Sequence, residues 1–146
     1  MTITFDSKKQ LSDLVYFSIV KDIIVKFVPN NVDSDIYCLG MANLDRKSFE
    51  ANPYGCDIGT AIYKRTNDPD HPELILSIMK GSDMIFVTLN GIDPSIVFRI
   101  EIEDSGAFDF KSFNIDNPKI SGEKREAAEY VFNIVTTTLY DLAEKL

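Results

Sequence analysis

The apolar positions of this chain change period along its length. Leu11, Leu14, Val15 and Ile19 recur at three- and four-residue spacings, which places them on one side of an α-helix. Ser7 and Gln10 fit a capping box ahead of that stripe, the hydroxyl and the amide satisfying free backbone groups of the first turn. The β-branched run Ile23-Ile24-Val25 and the following Phe27-Val28-Pro29 favour extended geometry, so the pattern predicts a change from helix to strand at about residue 22. Residues 2–5 read as a short strand before the helix.

From there the period falls to two. Strands are expected over 36–44, 57–65, 74–80, 83–89, 95–103 and 107–111, separated by turn chemistry. Asn52-Pro53-Tyr54-Gly55 fits a β-turn, and Gly81-Ser82 between two apolar runs fits a type II′ hairpin. Ile96, Phe98, Ile100 and Ile102 alternate with Val97, Arg99, Glu101 and Glu103, which predicts one dry sheet face and one wet face. Small residues at Gly40 and Ala42 suit a helix packed above them. The three-to-four period then returns. Ala127, Val131, Ile134, Val135, Leu139 and Leu142 line one side of a helix from Glu123 to about Lys145, with Ser121 as its N-cap.

Together these elements predict an α+β fold, a predominantly antiparallel sheet of about six to eight strands with an N-terminal helix and a long C-terminal helix packed on one face. Neither a repeat nor a Pro/Gly/Ser-rich linker interrupts the chain, so residues 1–146 read as a single domain. The order of strand, helix, meander and long final helix is similar to that of helix-grip domains, although those generally carry two short helices after the first strand and only one fits here. The likeness is one of architecture; no sequence motif assigns the chain to a family.

Composition narrows the classes. The chain is 45% hydrophobic and 26% charged, ordinary for a globular protein. Its longest apolar runs fall well short of a membrane span, and its first residues lack the pattern of a secretory signal, so an intracellular, cytoplasmic location is expected. Cys38 and Cys56 match neither a redox pair nor a zinc motif and read as reduced thiols. A high isoleucine content beside few alanines and arginines hints at an AT-rich coding genome such as that of many bacteriophages. The net charge of −8 argues against a surface that binds nucleic acid or anionic lipid by neutralising phosphates. Residues 1–65 are charge-balanced, so the acidic excess lies in the second half.

Candidate chemistry is sparse. His71 is the one histidine, and it lies between Asp70 and Pro72 in a loop expected to be solvated, a poor setting for a general base. Asp68, Asp70 and Glu73 beside it offer oxygen ligands at no diagnostic spacing. Asn31, Asp33 and Asp35 open like an EF-hand loop, but that register places Ile36 at its glycine and Ala42 at its bidentate glutamate. No glycine pattern cradles phosphates. We therefore assign no catalytic residue, no cofactor and no metal.

Glu101, Glu103 and Asp109 project from the wet sheet face, with Arg99 and Lys111 as cross-strand neighbours. Tyr130 and Tyr140 lie off the apolar stripe of the last helix and offer contact area at low entropic cost. These five residues are the candidate partner-binding set. The expected function is non-catalytic binding to a protein partner with a basic surface, as an inhibitor, immunity or host-takeover protein would act. The alternative is a small-ligand protein with a cavity between the sheet and the C-terminal helix, where Gly40, Ala42, Gly59 and Ala61 would leave room.

Overall fold

The computed structural model describes residues 8–27, 36–41, 58–68, 70–71 and 73–145. Helix α1 (Lys8–Phe27) is followed by six strands, β1 (Ile36–Met41), β2 (Ile58–Lys64), β3 (Glu73–Lys80), β4 (Met84–Leu89), β5 (Ile96–Ile102) and β6 (Phe108–Phe113), and by helix α2 (Gly122–Lys145). Among the described residues the strands form one antiparallel meander in sequence order, with β1 and β6 at its edges. The fold is thus α+β with two terminal helices and an antiparallel sheet. The strand proposed over residues 2–5 lies outside the described residues, as do the Asn31–Asp35 and Asn52–Gly55 turns.

Cross-strand register and burial sort the sheet into two faces. Ile62, Leu76, Val87, Ile96, Phe98 and Ile100 are completely or almost completely buried and join the helices in the main core. The helices share that face. Tyr16 of α1 hydrogen-bonds Thr60 of β2 through their hydroxyls at 2.6 Å. Phe132 of α2 sits 5.7 Å, centroid to centroid, from both Phe98 and Phe110. So α1 covers the β2–β3 side and α2 covers the β5–β6 side.

The expected switch from helix to strand near residue 22 does not occur, because α1 continues through Ile23-Ile24-Val25. Ile23 extends the four-residue series Leu11, Val15, Ile19, and all four are buried. Burying an isoleucine is worth roughly 2 kcal/mol, more than the few tenths by which β-branching disfavours a helix. Tertiary packing outweighs local propensity there.

Three further expectations are corrected. The β3–β4 hairpin forms, but Gly81 pairs with Met84 and donates to its carbonyl at 2.9 Å. The turn is therefore Ser82-Asp83, and Gly81 lacks the left-handed backbone that a type II′ turn needs. Gly59 and Ala61 lie on the face away from the helices, since Thr60 and Ile62 hold the inward positions; they leave no room for a ligand between the sheet and the C-terminal helix. The second sheet face is wet only over β5 and β6: Ala61, Ser77, Met79 and Phe86 on its β2–β4 part are buried.

The helices are tied by polar contacts between residues far apart in sequence. The Thr138 hydroxyl lies 2.5 Å from an Asp22 carboxylate oxygen, and the Tyr130 hydroxyl donates to the Lys26 carbonyl at 2.9 Å. At the N-terminal end of α1, the Ser12 hydroxyl donates to the Ser82 carbonyl at 2.9 Å and Asp13 pairs with Lys80. The connection from β6 to α2 is gathered by Arg125, whose guanidinium donates to the carbonyls of Ile115, Asn117 and Ile120. Gly122 starts α2 with φ of 64°, a conformation costly for any residue with a Cβ.

Candidate functional site

One end of the sheet gathers several chain segments. The hydrogen bond from the Ile102 amide to the Asp83 carbonyl places the β3–β4 and β5–β6 turns side by side, and Gly106, with φ of 87°, lets the second of them reverse tightly. The C-terminal half of α2 passes over that end, as does the start of α1. Between them lies a groove of about 740 Å³. Its floor is Leu11, Phe108, Phe110 and Leu139, and its walls are Ala107 and Ala143. Polar groups stand at its border. Ser105 accepts from the Ala107 amide and Thr136 is bonded to its own helix, whereas Tyr140 is 74% exposed.

The groove follows from sequence geometry. Leu139 and Ala143 are four residues apart and share one side of α2, while Phe108 and Phe110 alternate inward on β6. The side chains at the hairpin tip are small, which leaves open the space between the end of the sheet and the helix.

Exposed acids flank the mouth in sequence. Glu103 and Asp104 precede the Ser105-Gly106 turn, and Asp141 and Glu144 neighbour Tyr140 and Ala143 on α2; all four are exposed. Lys145 is an exposed base at the same helix end. The chemical character is an apolar trough bordered by Ser105, Thr136 and Tyr140, with exposed acids next to these segments in sequence.

The five predicted contact residues do not form one cluster. Glu101 and Asp109 face each other across β5 and β6 on the side of the sheet away from the helices, and Glu103 lies just beyond, at the hairpin. Arg99 and Lys111 form the next pair along the same strands, so two acids sit beside two bases in a locally balanced patch. Arg99 is also held over the Phe113 ring at 5.7 Å. Tyr130 is occupied by its bond to Lys26 and acts as a tie between helices. Tyr140 borders the groove. Of the other groove residues, Leu11 and Leu139 belong to the apolar stripes of the two helices and Phe108 and Phe110 to the inward row of β6, so sequence marks them as core; Ala143 has no sequence signal of its own.

His71 is 81% exposed and its Nδ1 lies 2.6 Å from an Asp68 carboxylate oxygen, a local pair three residues apart. Among the described residues, no group of three or more His, Cys, Asp or Glu side chains is placed to hold a metal ion. Among them, too, no helix is long and apolar enough to cross a membrane. No family model matches the chain, and neither the characterised proteins nor the solved structures contain a match to it.

Proposed function

We propose that this chain is a non-catalytic binding protein, and that the groove between the β5–β6 hairpin and α2 receives an apolar side chain from a protein partner with a basic surface. The observation that carries this reading is an apolar trough of about 740 Å³ whose lining residues on the β5–β6 hairpin and on α2 are neighboured in sequence by exposed acids. A buried apolar anchor supplies most of the affinity of such an interface, while charges around it set encounter rate and choice of partner. The acids Glu103, Asp104, Asp141 and Glu144 repel acidic surfaces and favour lysine- or arginine-bearing ones. Tyr140 adds a large, rigid contact at the rim. The patch at Glu101 and Asp109 contributes less, because Arg99 and Lys111 offset it locally.

A second reading is favoured by the size of the groove, which falls within the range typical of small-molecule sites, roughly 300–1,000 Å³. Under that reading the occupant is a small apolar or cationic amphiphilic molecule held between sheet and C-terminal helix.

Photo-crosslinking from position 140 separates the two. With benzoylphenylalanine in place of Tyr140, lysate of the native host should yield one protein adduct. That adduct should disappear when Ala143→Trp fills the groove, and weaken when Asp141 and Glu144 are changed to lysine. No adduct, together with a small molecule retained in native mass spectrometry and lost in Ala143→Trp, establishes the second reading. Neither adduct nor retained molecule refutes the groove as a binding site.

A further inference from the structure

We infer that β6 is a self-association edge through which two copies of this chain join their sheets about a two-fold axis at Phe110. The backbone alternation of β6 follows from one bond. The Glu103 amide donates to the Ala107 carbonyl at 3.0 Å, so these two residues face each other as a hydrogen-bonded pair. Stepping two residues at a time along the antiparallel ladder, Glu101–Asp109, Arg99–Lys111 and Val97–Phe113 repeat that arrangement. The intervening residues Phe108, Phe110 and Ser112 therefore direct their amides and carbonyls away from β5, toward the edge of the sheet. Among the described residues, no backbone group pairs with them there. An open edge of this kind is a template for another strand.

The sequence of β6, Phe-Asp-Phe-Lys-Ser-Phe, selects the occupant. In an antiparallel pair of two β6 strands centred on Phe110, Phe110 meets its own copy, Phe108 meets Ser112 of the second copy, and Asp109 meets Lys111 of the second copy. All three edge-facing residues then fall in hydrogen-bonded pairs, and two symmetry-related acid–base pairs form on the face away from the helices. Shifting the centre to Asp109 puts two carboxylates directly opposite each other; shifting it to Lys111 does the same with two ammonium groups. Like charges directly opposite are unfavourable in a sheet, and opposite charges are favourable; Asp109 and Lys111 already face like charges, Glu101 and Arg99, across β5, so a second strand that offers each an opposite charge relieves both. Of these three neighbouring registers, only the one centred on Phe110 is electrostatically self-complementary.

The groups required are accessible. Lys111 and Asp109 are 54% and 36% exposed, and their 4.0 Å contact within the strand is loose enough to exchange for a cross-strand partner. Ser112 and Phe113 are exposed. The two-fold axis makes the interface isologous, the commonest arrangement for soluble homodimers.

Analytical ultracentrifugation tests the inference at about 0.15 M salt, which screens the repulsion between two copies of net charge −8. The unaltered chain should sediment as a dimer at high protein concentration. D109K and K111D should each raise the dissociation constant by about tenfold or more, because two attractive pairs become repulsive. The double variant D109K/K111D restores opposite signs across the seam and should return the dimer. S112P removes an edge-facing amide without touching the β5 ladder, and should give a monomer whose thermal unfolding midpoint is within a few degrees of the original. A chain that stays monomeric at concentrations on the order of 1 mM overturns the inference, as does a dimer that neither single reversal weakens. A double variant that dimerises no better than the single reversals overturns the register.

Discussion

Lys80 carries the least ordinary energetics in the core. It lies in the inward row of β3 with Leu76 and Ile78, is 2% exposed, and holds its ammonium 2.7 Å from an Asp13 carboxylate oxygen that is itself 42% exposed. Removing Asp13 leaves a buried cation without its counter-ion, a defect that costs about 3–5 kcal/mol where both partners are buried. Water reaches the Asp13 side of this pair, so Asp13→Ala should cost about 2 kcal/mol. Lys80→Met keeps the volume of the stem and lets Asp13 rehydrate, and should stay within about 1 kcal/mol of the original stability. The double variant should match Lys80→Met, giving a coupling of about 2 kcal/mol between the two positions, the whole cost of Asp13→Ala. Urea unfolding followed by circular dichroism measures all four proteins, with an unchanged m-value confirming comparable unfolding. If Lys80→Met is as damaging as Asp13→Ala, the pair acts as a net stabiliser and the reasoning from desolvation fails.

Ile23→Ala should destabilise by about 3 kcal/mol, whereas Val25→Ala, at a position that is two-thirds exposed, should change stability by less than about 0.5 kcal/mol; equal effects in urea unfolding would argue against a continuous helix. Arg125→Lys should cost about 2 kcal/mol despite keeping the charge, since one ammonium cannot span the three carbonyls the guanidinium engages, and calorimetry of the variant reads this as a lowered Tm. Tyr130→Phe should cost about 1 kcal/mol, because the bond from its hydroxyl to the Lys26 carbonyl lies at an exposed site, and hydrogen exchange at the C-terminal end of α1 should report the loosening.

The parts of the fold legible in the sequence are those whose period is uninterrupted. Ile96 to Ile102 alternates with Val97 as the one apolar exception on its outer side, and β5 lies where that pattern places it. The C-terminal helix is equally plain, although Ala128 takes the inward position assigned to Ala127, and Thr138 is buried beside Val135 and Leu139. Thr138 was unreadable because its partner, Asp22, lies on another helix and no local pattern links them. At Ile23 two signals compete: the four-residue series from Leu11 points to a helix, and the adjacent β-branched residues point to a strand. The number of buried neighbours decides between them, and that is a tertiary quantity. The groove shows the same limit. Leu11, Phe108 and Ala143 come from three separate elements, and each reads singly as a core or spacer residue. Only Tyr140, standing off the apolar stripe, has a sequence signal as a surface contact. Lys80 is legible by parity, since a lysine in step with Leu76 and Ile78 has to reach a partner or leave the core.

Phe108 and Phe110 belong to both proposed surfaces, and that overlap has a thermodynamic consequence. Their side chains form the floor of the groove, and their backbone groups lie at the open edge of β6. A molecule filling the groove presses on the same residues that a second β6 strand would pair with, so the two events share a free energy of coupling. If a partner orders β6 in the geometry that pairing needs, it tightens the dimer, and the dimer binds the partner more tightly by the same factor. If the partner itself extends along the β6 edge, it competes with the second copy and dissociates it. The two cases differ in sign. Ala143→Trp fills the groove from α2 without altering any β6 residue, so its effect on dimer dissociation reports whether groove and edge communicate. A shift in either direction joins them into one device, and an unchanged dissociation constant makes them independent surfaces on the same hairpin.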